Sequence, residues 1–225
     1  MIELREVSRI FHVGGQEVRA MDRISLAIQP GEYLSIMGPS GSGKSTLLNT
    51  LGLLDTPDSG AYLLQGQDVT SLNDAQLAAV RSRTIGFIFQ FFHLIPRLTA
   101  QQNIELPLLL AGVSRRERTE RSTPLIEAFG LADRSRHRPD ELSGGQRQRT
   151  AIARAVINKP AALLADEPTG NLDRHSGADI IELLEGLNKG GQTLVIVTHD
   201  PEVGERARRQ IRVVDGRIAA DVRRI

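Results

Sequence analysis

A glycine-rich stretch near the start of the chain, GPSGSGKST at residues 38–46, combines the residue types that bind phosphate. Gly38, Gly43, Lys44 and Ser45 satisfy the spacing G-x-x-x-x-G-K-S/T. Glycines let backbone N–H groups approach phosphate oxygens, and the following helix adds the positive end of its dipole. We expect Lys44 to reach the β- and γ-phosphates of a nucleotide and the Ser45 hydroxyl to bind Mg²⁺. The residues expected to contact the nucleotide here are Gly38, Ser40, Gly41, Ser42, Gly43, Lys44, Ser45 and Thr46.

Two carboxylates follow an apolar run later in the chain, in the sequence LLADEP. Asp166 ends this predicted strand, where it can meet Mg²⁺ through a water molecule. Glu167 comes next, and a carboxylate at that point can orient or deprotonate an attacking water. Acidic residues also occur at strand ends without any catalytic role. The pair indicates catalysis here because the same chain also carries a phosphate-binding loop. Together these features predict hydrolysis of a nucleoside triphosphate.

Two further polar residues also end predicted buried strands. Gln90 follows IGFIF, and His199 follows LVIVT. Ligands of open parallel sheets bind at the carboxyl ends of the strands. We therefore expect Gln90 to touch Mg²⁺ or the attacking water and His199 to contact the γ-phosphate, although a lone histidine is also common in surfaces and cores.

A second stretch with phosphate-binding chemistry, LSGGQRQR at residues 142–149, lies far from the first. A serine and two glycines open a helix predicted over residues 146–158, with core spacing at Ile152, Ala155 and Val156. The stretch has no lysine and no metal ligand, so it suits a supporting role at a phosphate. The residues expected to contact nucleotide here are Ser143, Gly144, Gly145 and Gln146.

The elements that position these residues alternate between buried strands and helices, which indicates a parallel sheet covered on both faces. An Asp-Gly hairpin is predicted at residues 213–219. Residues 1–7, 23–28 and 60–64 predict a small antiparallel sheet. The predicted strands of the parallel sheet span residues 33–37, 85–89, 162–166 and 193–198, and the predicted helices span 44–51, 72–83 and 176–187.

The fold class is therefore α/β, a P-loop NTPase core of the RecA-like kind with two additions. We expect one domain over residues 1–225. Residues of about 1–90 and 157–225 form the α/β core with its N-terminal antiparallel β-subdomain. Residues of about 91–156 form an inserted α-helical subdomain that carries LSGGQ.

Composition excludes several classes of function. Lysine plus arginine total 28 and aspartate plus glutamate total 27, so the net charge of +1 argues against general nucleic-acid binding. The chain has no cysteine, which excludes disulfides and thiolate metal sites. The N-terminus does not look like a signal peptide. The most apolar stretch, residues 104–112, is far shorter than the roughly 20 residues that span a bilayer, so work at a membrane needs another chain.

Taken in order, GPSGSGKST, Gln90, LSGGQ, LLADE, GNLD and His199 resemble the ATP-binding subunit of an ABC transporter over essentially the whole chain. The resemblance implies ATP and Mg²⁺ as ligands and two copies packed head to tail. Ser143 and Gly145 of one copy would then close over the γ-phosphate held by residues 38–46 of the other. Asp173 in GNLD would lie at the seam between the copies.

Phe11 matches the aromatic residue that stacks on adenine in the same family. Phenylalanine is less usual than tyrosine at this position, although any flat ring can stack. A phenylalanine near a small sheet is also often a core residue, and the sequence leaves both readings open.

The chain is most similar to the macrolide-exporter and lipoprotein-releasing type of ABC ATPase. This implies a membrane-spanning permease subunit as partner and a peripheral position on the cytoplasmic face of the inner membrane. A cell-division ATPase that signals through a membrane partner without cargo is the alternative. An ABC ATPase acting on DNA or ribosomes is a third class, disfavoured by the balanced charge and by the lack of a second ATPase half or a long coiled-coil insertion.

Three surface stretches keep two interpretations each. Residues 91–99 either line a groove for a permease helix or form subdomain core through Phe91, Phe92 and Leu94. The arginine-rich stretches at residues 115–121 and 134–138 are either solvated faces or contacts for anionic lipid headgroups.

Overall fold

Residues 1–224, which the computed structural model describes, form ten β-strands in two sheets and seven α-helices. The strands are β1 (Ile2–Val13), β2 (Gln16–Ile28), β3 (Tyr33–Met37), β4 (Ser59–Leu64), β5 (Gln67–Asp68), β6 (Ile85–Phe89), β7 (Ala162–Asp166), β8 (Thr193–Val197), β9 (Arg209–Val214) and β10 (Arg217–Arg223). The helices are α1 (Lys44–Leu51), α2 (Asp74–Thr84), α3 (Ala100–Leu110), α4 (Arg115–Ala128), α5 (Gly144–Val156), α6 (Arg174–Lys189) and α7 (Pro201–Glu205).

The larger sheet has the strand order β10-β9-β3-β8-β7-β6. The strands β9, β3, β8, β7 and β6 all run parallel to one another, and β10 runs antiparallel to β9. The register pairs Phe89 with Asp166, Asp166 with Val197, and Val197 with Ile36. The carboxyl ends of four strands therefore lie side by side, which places the residues that follow them along one edge.

This sheet is buried on both faces because two hydrophobic cores cover it. Successive side chains of a strand point to opposite faces. In β7, Leu164 packs into the core shared with the N-terminal sheet and α1, whereas Leu163 and Ala165 pack against the helices of the other face. The continuous apolar runs of the sequence are explained by this double covering.

The smaller sheet is antiparallel, with the order β2-β1-β4-β5. It reaches the phosphate loop through the β9–β10 turn, where Asp215 and Gly216 both have positive φ. The Gly216 N–H donates to the Ser42 carbonyl at 3.0 Å, and the Asp22 N–H donates to the Gly216 carbonyl at 2.8 Å. The turn thus ties the loop to both sheets.

The helix of the LSGGQ stretch begins two residues earlier than the pattern predicts and also ends earlier, at Val156. Ser143 is its N-cap, so both glycines lie inside the first turn. Ile152 is fully buried as expected, but Ala155 and Val156 are only half-buried. These two side chains still pack against the core around Ile152, and the covered face is wider than predicted because Ala151, Ala153 and Ile157 are also buried.

The sequence patterns did not indicate β5 or α7. The hairpin at residues 213–219 is present, but its strands join the larger sheet. Within residues 1–224, no helix combines the length and the apolar character needed to cross a bilayer.

A candidate nucleotide site at the carboxyl ends of the strands

The loop between β3 and α1 has a backbone that only glycine accommodates at its two ends. Gly38 has a φ of 154° and Gly43 a φ of 98°. A Cβ on Gly38 would lie 2.1 Å from the Val213 carbonyl oxygen, and a Cβ on Gly43 would lie 2.0 Å from the Ala20 carbonyl oxygen. The glycines therefore let the loop pass close to β2 and β9, in addition to leaving room for phosphate.

The Lys44 side chain curls back over this loop. Its ammonium group donates to the Gly38 carbonyl at 2.9 Å and to the Pro39 carbonyl at 2.7 Å. The buried Ser42 hydroxyl has no hydrogen-bond partner within the described chain. Ser40, Gly41 and Ser45 are exposed and Thr46 is half-buried, so hydroxyl groups beside Lys44 and the start of α1 are accessible to a ligand.

Asp166 ends β7 beside this loop. Burial raises the pKa of the Asp166 carboxyl, the nearby charge of Glu167 raises it further, and Lys44 acts in the opposite direction. A carboxylate that is costly to ionise in this setting is suited to neutralisation by a cation.

Glu167 adopts a left-handed backbone conformation, with a φ of 46°, and its N–H donates to the Val197 carbonyl at 2.9 Å. The Glu167 Oε1 atom accepts the His199 N–H at 3.0 Å and lies 2.7 Å from His199 Nδ1. The Thr198 hydroxyl donates to Glu167 Oε2 at 3.4 Å. The structure thus brings together two predicted catalytic residues and fixes the direction of the carboxylate.

Gln90 lies beside the segment that follows Glu167. The Asn171 side chain donates to the Gln90 carbonyl at 2.9 Å. A Cβ on Gly170 would lie 2.6 Å from Gln90 Nε2, so this glycine allows the close approach. Gln90, Glu167 and His199 therefore share one edge of the sheet with the phosphate loop.

Gln148 is a residue that the sequence analysis missed. It is fully buried on α5, and its side chain donates to the Pro168 carbonyl at 2.7 Å. Its Nε2 atom also lies 3.5 Å from the Phe89 carbonyl oxygen. Gln148 precedes Ile152 by one helical turn and therefore shares its buried face. A polar residue on that face was the sequence signal that could have indicated a buried hydrogen-bonding role. Gln148 links the LSGGQ helix to the segments that carry Gln90 and Glu167.

The LSGGQ stretch presents a capped helix start. The Ser143 hydroxyl accepts the Gln146 N–H at 3.2 Å, and the Gln146 side chain accepts the Ser143 N–H at 3.0 Å. A Cβ on Gly144 would lie 3.1 Å from a Leu172 methyl group, and Asp173 caps the adjacent α6 through the Ser176 N–H at 2.9 Å. Two helix starts therefore lie side by side.

No hydrogen bond or ion pair among residues 1–224 joins this pair of helix starts to the loop of residues 38–46. Within one copy, the second phosphate-binding feature thus makes no bond to the first.

Phe11 is half-exposed on β1 and lies outside both hydrophobic cores. The Arg9 guanidinium lies 4.9 Å from its ring centroid. Val18, opposite Phe11 in the β1–β2 register, is also exposed. The structure therefore disagrees with the core interpretation and leaves the ring available to a ligand.

The donors suited to a metal ion are Ser45, Gln90 and Asp166, and the described residues contain no group of three or more His, Cys, Asp or Glu side chains arranged to hold a metal ion. One carboxylate with neutral oxygens fits Mg²⁺, which keeps several waters and relies on substrate phosphates. This donor set does not resemble that of a transition-metal site.

A cavity of about 860 Å³ runs along the free edge of β6. Of the stretch 91–99, only His93 is among its lining residues. Phe91 is 67% exposed, which overturns the expectation that it forms subdomain core, while Phe92 and Leu94 are half-buried. Its lining also includes Phe87, Phe89, Leu106, Leu110 and Arg154.

Comparison with known proteins gives consistent matches. The sequence profile of the ABC transporter family matches residues 21–170. An uncharacterized ABC transporter ATP-binding protein, YknY of Bacillus subtilis (strain 168), is 51% identical over 218 residues, covering 97% of this chain and 95% of that protein. The macrolide export ATP-binding/permease protein MacB of Brucella melitensis is 50% identical over 221 residues, covering 98% of this chain but 34% of its own length.

Solved structures agree with these relatives. The dimeric structure of MJ0796, a bacterial ABC transporter cassette, has a TM-score of 0.91 at 42% identity and covers 99% of this chain and 98% of its own. A second dimeric structure of the same cassette, in a post-hydrolysis state bound to ADP and Pi, matches with the same TM-score, identity and coverage.

Proposed function

This chain belongs to the ABC transporter family, and we propose that it is the ATP-hydrolysing subunit of an exporter or extraction system of the macrolide-exporter type. ATP is its substrate, and two copies with a membrane permease form the working unit. The observation that carries the proposal is the pair of separate phosphate-binding features in one copy, the loop of residues 38–46 and the start of α5.

In this proposal, different residues around the strand ends bind the phosphates, the metal ion and the adenine base. Lys44 exchanges the Gly38 and Pro39 carbonyls for phosphate oxygens. Ser45, Gln90 and Asp166 would hold Mg²⁺, which would supply positive charge against the phosphates when bound. The Phe11 ring would stack on adenine.

Glu167 accepts the proton of the attacking water or orients that water. Its position supports this role, because the carboxylate is held at 2.7 Å from His199 Nδ1 and 3.0 Å from the His199 backbone nitrogen. His199 positions the carboxylate and is itself 74% exposed at the side chain, which leaves it free to meet the γ-phosphate.

The start of α5 would act on the nucleotide of the other copy. Its serine and two glycines offer N–H groups and a hydroxyl without a lysine, which suits them to the far side of a phosphate already held by Lys44. Asp173, which caps the neighbouring α6, would lie at the seam. Two nucleotides would then join two copies head to tail.

We place the permease at the cavity beside β6. Its floor is apolar, with Phe87, Phe89 and Leu106, and Leu110 on its rim is 80% exposed. An exposed apolar rim next to a free strand edge is typical of a surface that a helix covers. This arrangement would hold the protein peripherally at the cytoplasmic face of the inner membrane.

Cross-linking tests the head-to-tail dimer. The chain has no cysteine, so Ser143→Cys and Ser40→Cys can be introduced together in a Glu167→Gln background without competing thiols. We expect a short bifunctional thiol reagent to give a covalent dimer with ATP and Mg²⁺ but not without nucleotide. Each single cysteine variant serves as a control and should give no covalent dimer. An ATP-independent yield, or no dimer at all, would contradict the proposal.

A further inference from the structure

The turn that follows Gln90 has an unusual backbone. Phe92 has a φ of 61° and His93 a φ of 46°, so two successive non-glycine residues occupy the left-handed region. The Phe92 N–H donates to the Phe89 carbonyl at 3.2 Å, which closes the turn around Gln90. Such a conformation persists only where surrounding contacts hold it.

Arg154 supplies those contacts from α5. Its Nη1 atom donates to the His93 carbonyl at 2.6 Å, and its Nη2 atom donates to the Phe92 carbonyl at 2.9 Å. These are the carbonyls of the two left-handed residues. A guanidinium can reach both at once because its donors form a rigid planar fork.

The charge of Arg154 is not explained by an ion pair. Across residues 1–224, the salt bridges include no carboxylate within 4.0 Å of this side chain. Burial lowers the pKa of Arg154. Arg154 is half-buried, and a partly desolvated cation that bonds to backbone carbonyls without a carboxylate partner is costly, which indicates that the contact itself has a role.

The same side chain lines the cavity beside β6, together with His93 and Phe89. The His93 ring lies 4.6 Å from the Phe89 ring centroid, and Phe89 directly precedes Gln90. Arg154 therefore stands between the cavity and the turn that carries Gln90.

We propose that Arg154 is a positioning residue that holds the turn after Gln90 in its left-handed form and so places the Gln90 side chain. The proposal rests on the proposed function, which gives Gln90 its contact with Mg²⁺ or water. Arg154 touches neither the nucleotide nor the reacting atoms.

Steady-state ATPase kinetics on the full chain test this role with Arg154→Met, Gln90→Ala and the double variant. Arg149→Met is the matched control, because Arg149 is on the same helix but bonds to Phe129 and Asp179 instead. We expect Arg154→Met to lower kcat about tenfold or more, as small misplacements of a reacting group do, and to change KM for ATP less than twofold. Arg149→Met should keep the parent kcat.

The double variant separates positioning from general damage. If Arg154 acts through Gln90, the double variant should be no slower than the slower single variant. Losses that multiply, or a parent-like kcat in Arg154→Met, would overturn the proposal for Arg154 alone. A parent-like kcat in Gln90→Ala would instead overturn the role that the proposed function gives Gln90.

Arg154→Lys covers the case in which Arg154→Met does not fold. Lysine keeps the charge but lacks the planar fork, so we expect a kcat between those of the parent and Gln90→Ala, with a parent-like melting temperature. A kcat equal to the parent's in this variant would show that the two-pronged contact is dispensable.

Discussion

The Glu167 carboxylate shows what sequence patterns can and cannot establish about a single residue. Its position after an apolar strand marks it as a candidate base, and the same reasoning marks His199 as a contact for the γ-phosphate. The 2.7 Å contact between them depends on β7 and β8 being neighbours in the sheet. Strand order is a long-range property, so the two residues could be nominated from the sequence but not paired.

The contacts of Gln148 and Arg154 were still harder to predict from the sequence. Both residues are polar positions on α5, and a helix pattern gives no indication of which loop carbonyls they will meet. Their partners, Pro168 and His93, lie in segments without periodicity. Such links follow from how the helix packs on β6, which local sequence does not encode.

Gly43→Ala is expected to disable the phosphate loop. The added Cβ would meet the Ala20 carbonyl at 2.0 Å, and the φ of 98° is strained for alanine. Both effects oppose the loop conformation, so we expect ATP affinity to fall below detection and the free energy of unfolding to fall by about 1–3 kcal/mol. Gly66→Ala, which has a φ of 83° but open space, is the control for strain alone. Nucleotide titration and urea unfolding measure the two effects.

Lys44→Ala should separate nucleotide binding from stability. Among residues 1–224, the ammonium group bonds to two loop carbonyls and to no other group, so its loss should leave the melting temperature nearly unchanged. Loss of a charge-assisted contact to phosphate should weaken ATP binding by about 1.5–3 kcal/mol, which is roughly 10- to 150-fold. Calorimetric titration with ATP checks this, with the exposed Lys159→Ala as control. Equal affinities of the two variants would remove Lys44 from its role.

At the scale of elements, the bounds of β3, α1, β6 and β7 agree with the sequence patterns to the residue. Each strand is a continuous apolar run between turn signals, which leaves little freedom in its assignment. Short elements were missed. Helix α7 has only five residues, although Asp200 as N-cap and Pro201 at the first position were visible signals.

Gly186→Ala is expected to stabilise the protein through α6. Gly186 lies inside the helix with ordinary helical φ, and a Cβ there would meet nothing within 4 Å. Alanine restricts the unfolded chain and favours the helix, so the free energy of unfolding should rise by about 0.5–1 kcal/mol. Urea unfolding of the parent and the variant measures the difference. Destabilisation would mean that the exposed side of α6 packs against something in solution.

The contact between β9 and β10 should make stability depend on pH. The Arg209 side chain donates to Asp221 at 2.7 and 2.6 Å, and this hydrogen bonding lowers the pKa of the Asp221 carboxyl, with burial acting against it. A carboxyl with a lowered folded-state pKa stabilises the fold above the ordinary value of 3.8. That contribution is lost as the pH falls through the folded-state pKa.

Asp221→Asn therefore tests the sign of this effect. At pH 7 we expect the variant to unfold about 1 kcal/mol more easily than the parent, since the carboxyl is partly exposed. The difference should shrink as the pH falls below 3.8. Urea unfolding at several pH values between neutral and acid, run on both proteins, gives the difference directly. A gap that stays constant with pH would contradict the assignment.

At the scale of the whole molecule, the two-layered covering of the sheet explains why the general architecture follows from the sequence. Buried parallel strands need helices on both faces, so the alternation of apolar runs and helical segments indicates the layered core. The cavity beside β6 could not be predicted from the sequence, because its lining comes from α2, β6, α3 and α5. Of the apolar stretch at residues 91–99, only His93 lines it, so the docking surface that we propose lies mostly on other elements.

The cavity gives the last prediction. Leu110→Asp places a charge on the apolar rim, at a side chain that is 80% exposed, so the fold should tolerate it. If a permease helix covers this rim, burial of the new carboxylate without a partner would cost several kcal/mol and release the permease. We expect the affinity-tagged variant to lose the membrane subunit that copurifies with the parent from detergent-solubilised membranes. Val13→Asp, which changes an exposed apolar residue at the end of β1, should retain it.

In the Glu167→Gln background, Leu110→Asp should still dimerise with ATP, because the start of α5 and the loop of residues 38–46 lie outside the cavity lining. Retention of the permease by Leu110→Asp would move the docking surface elsewhere on the molecule.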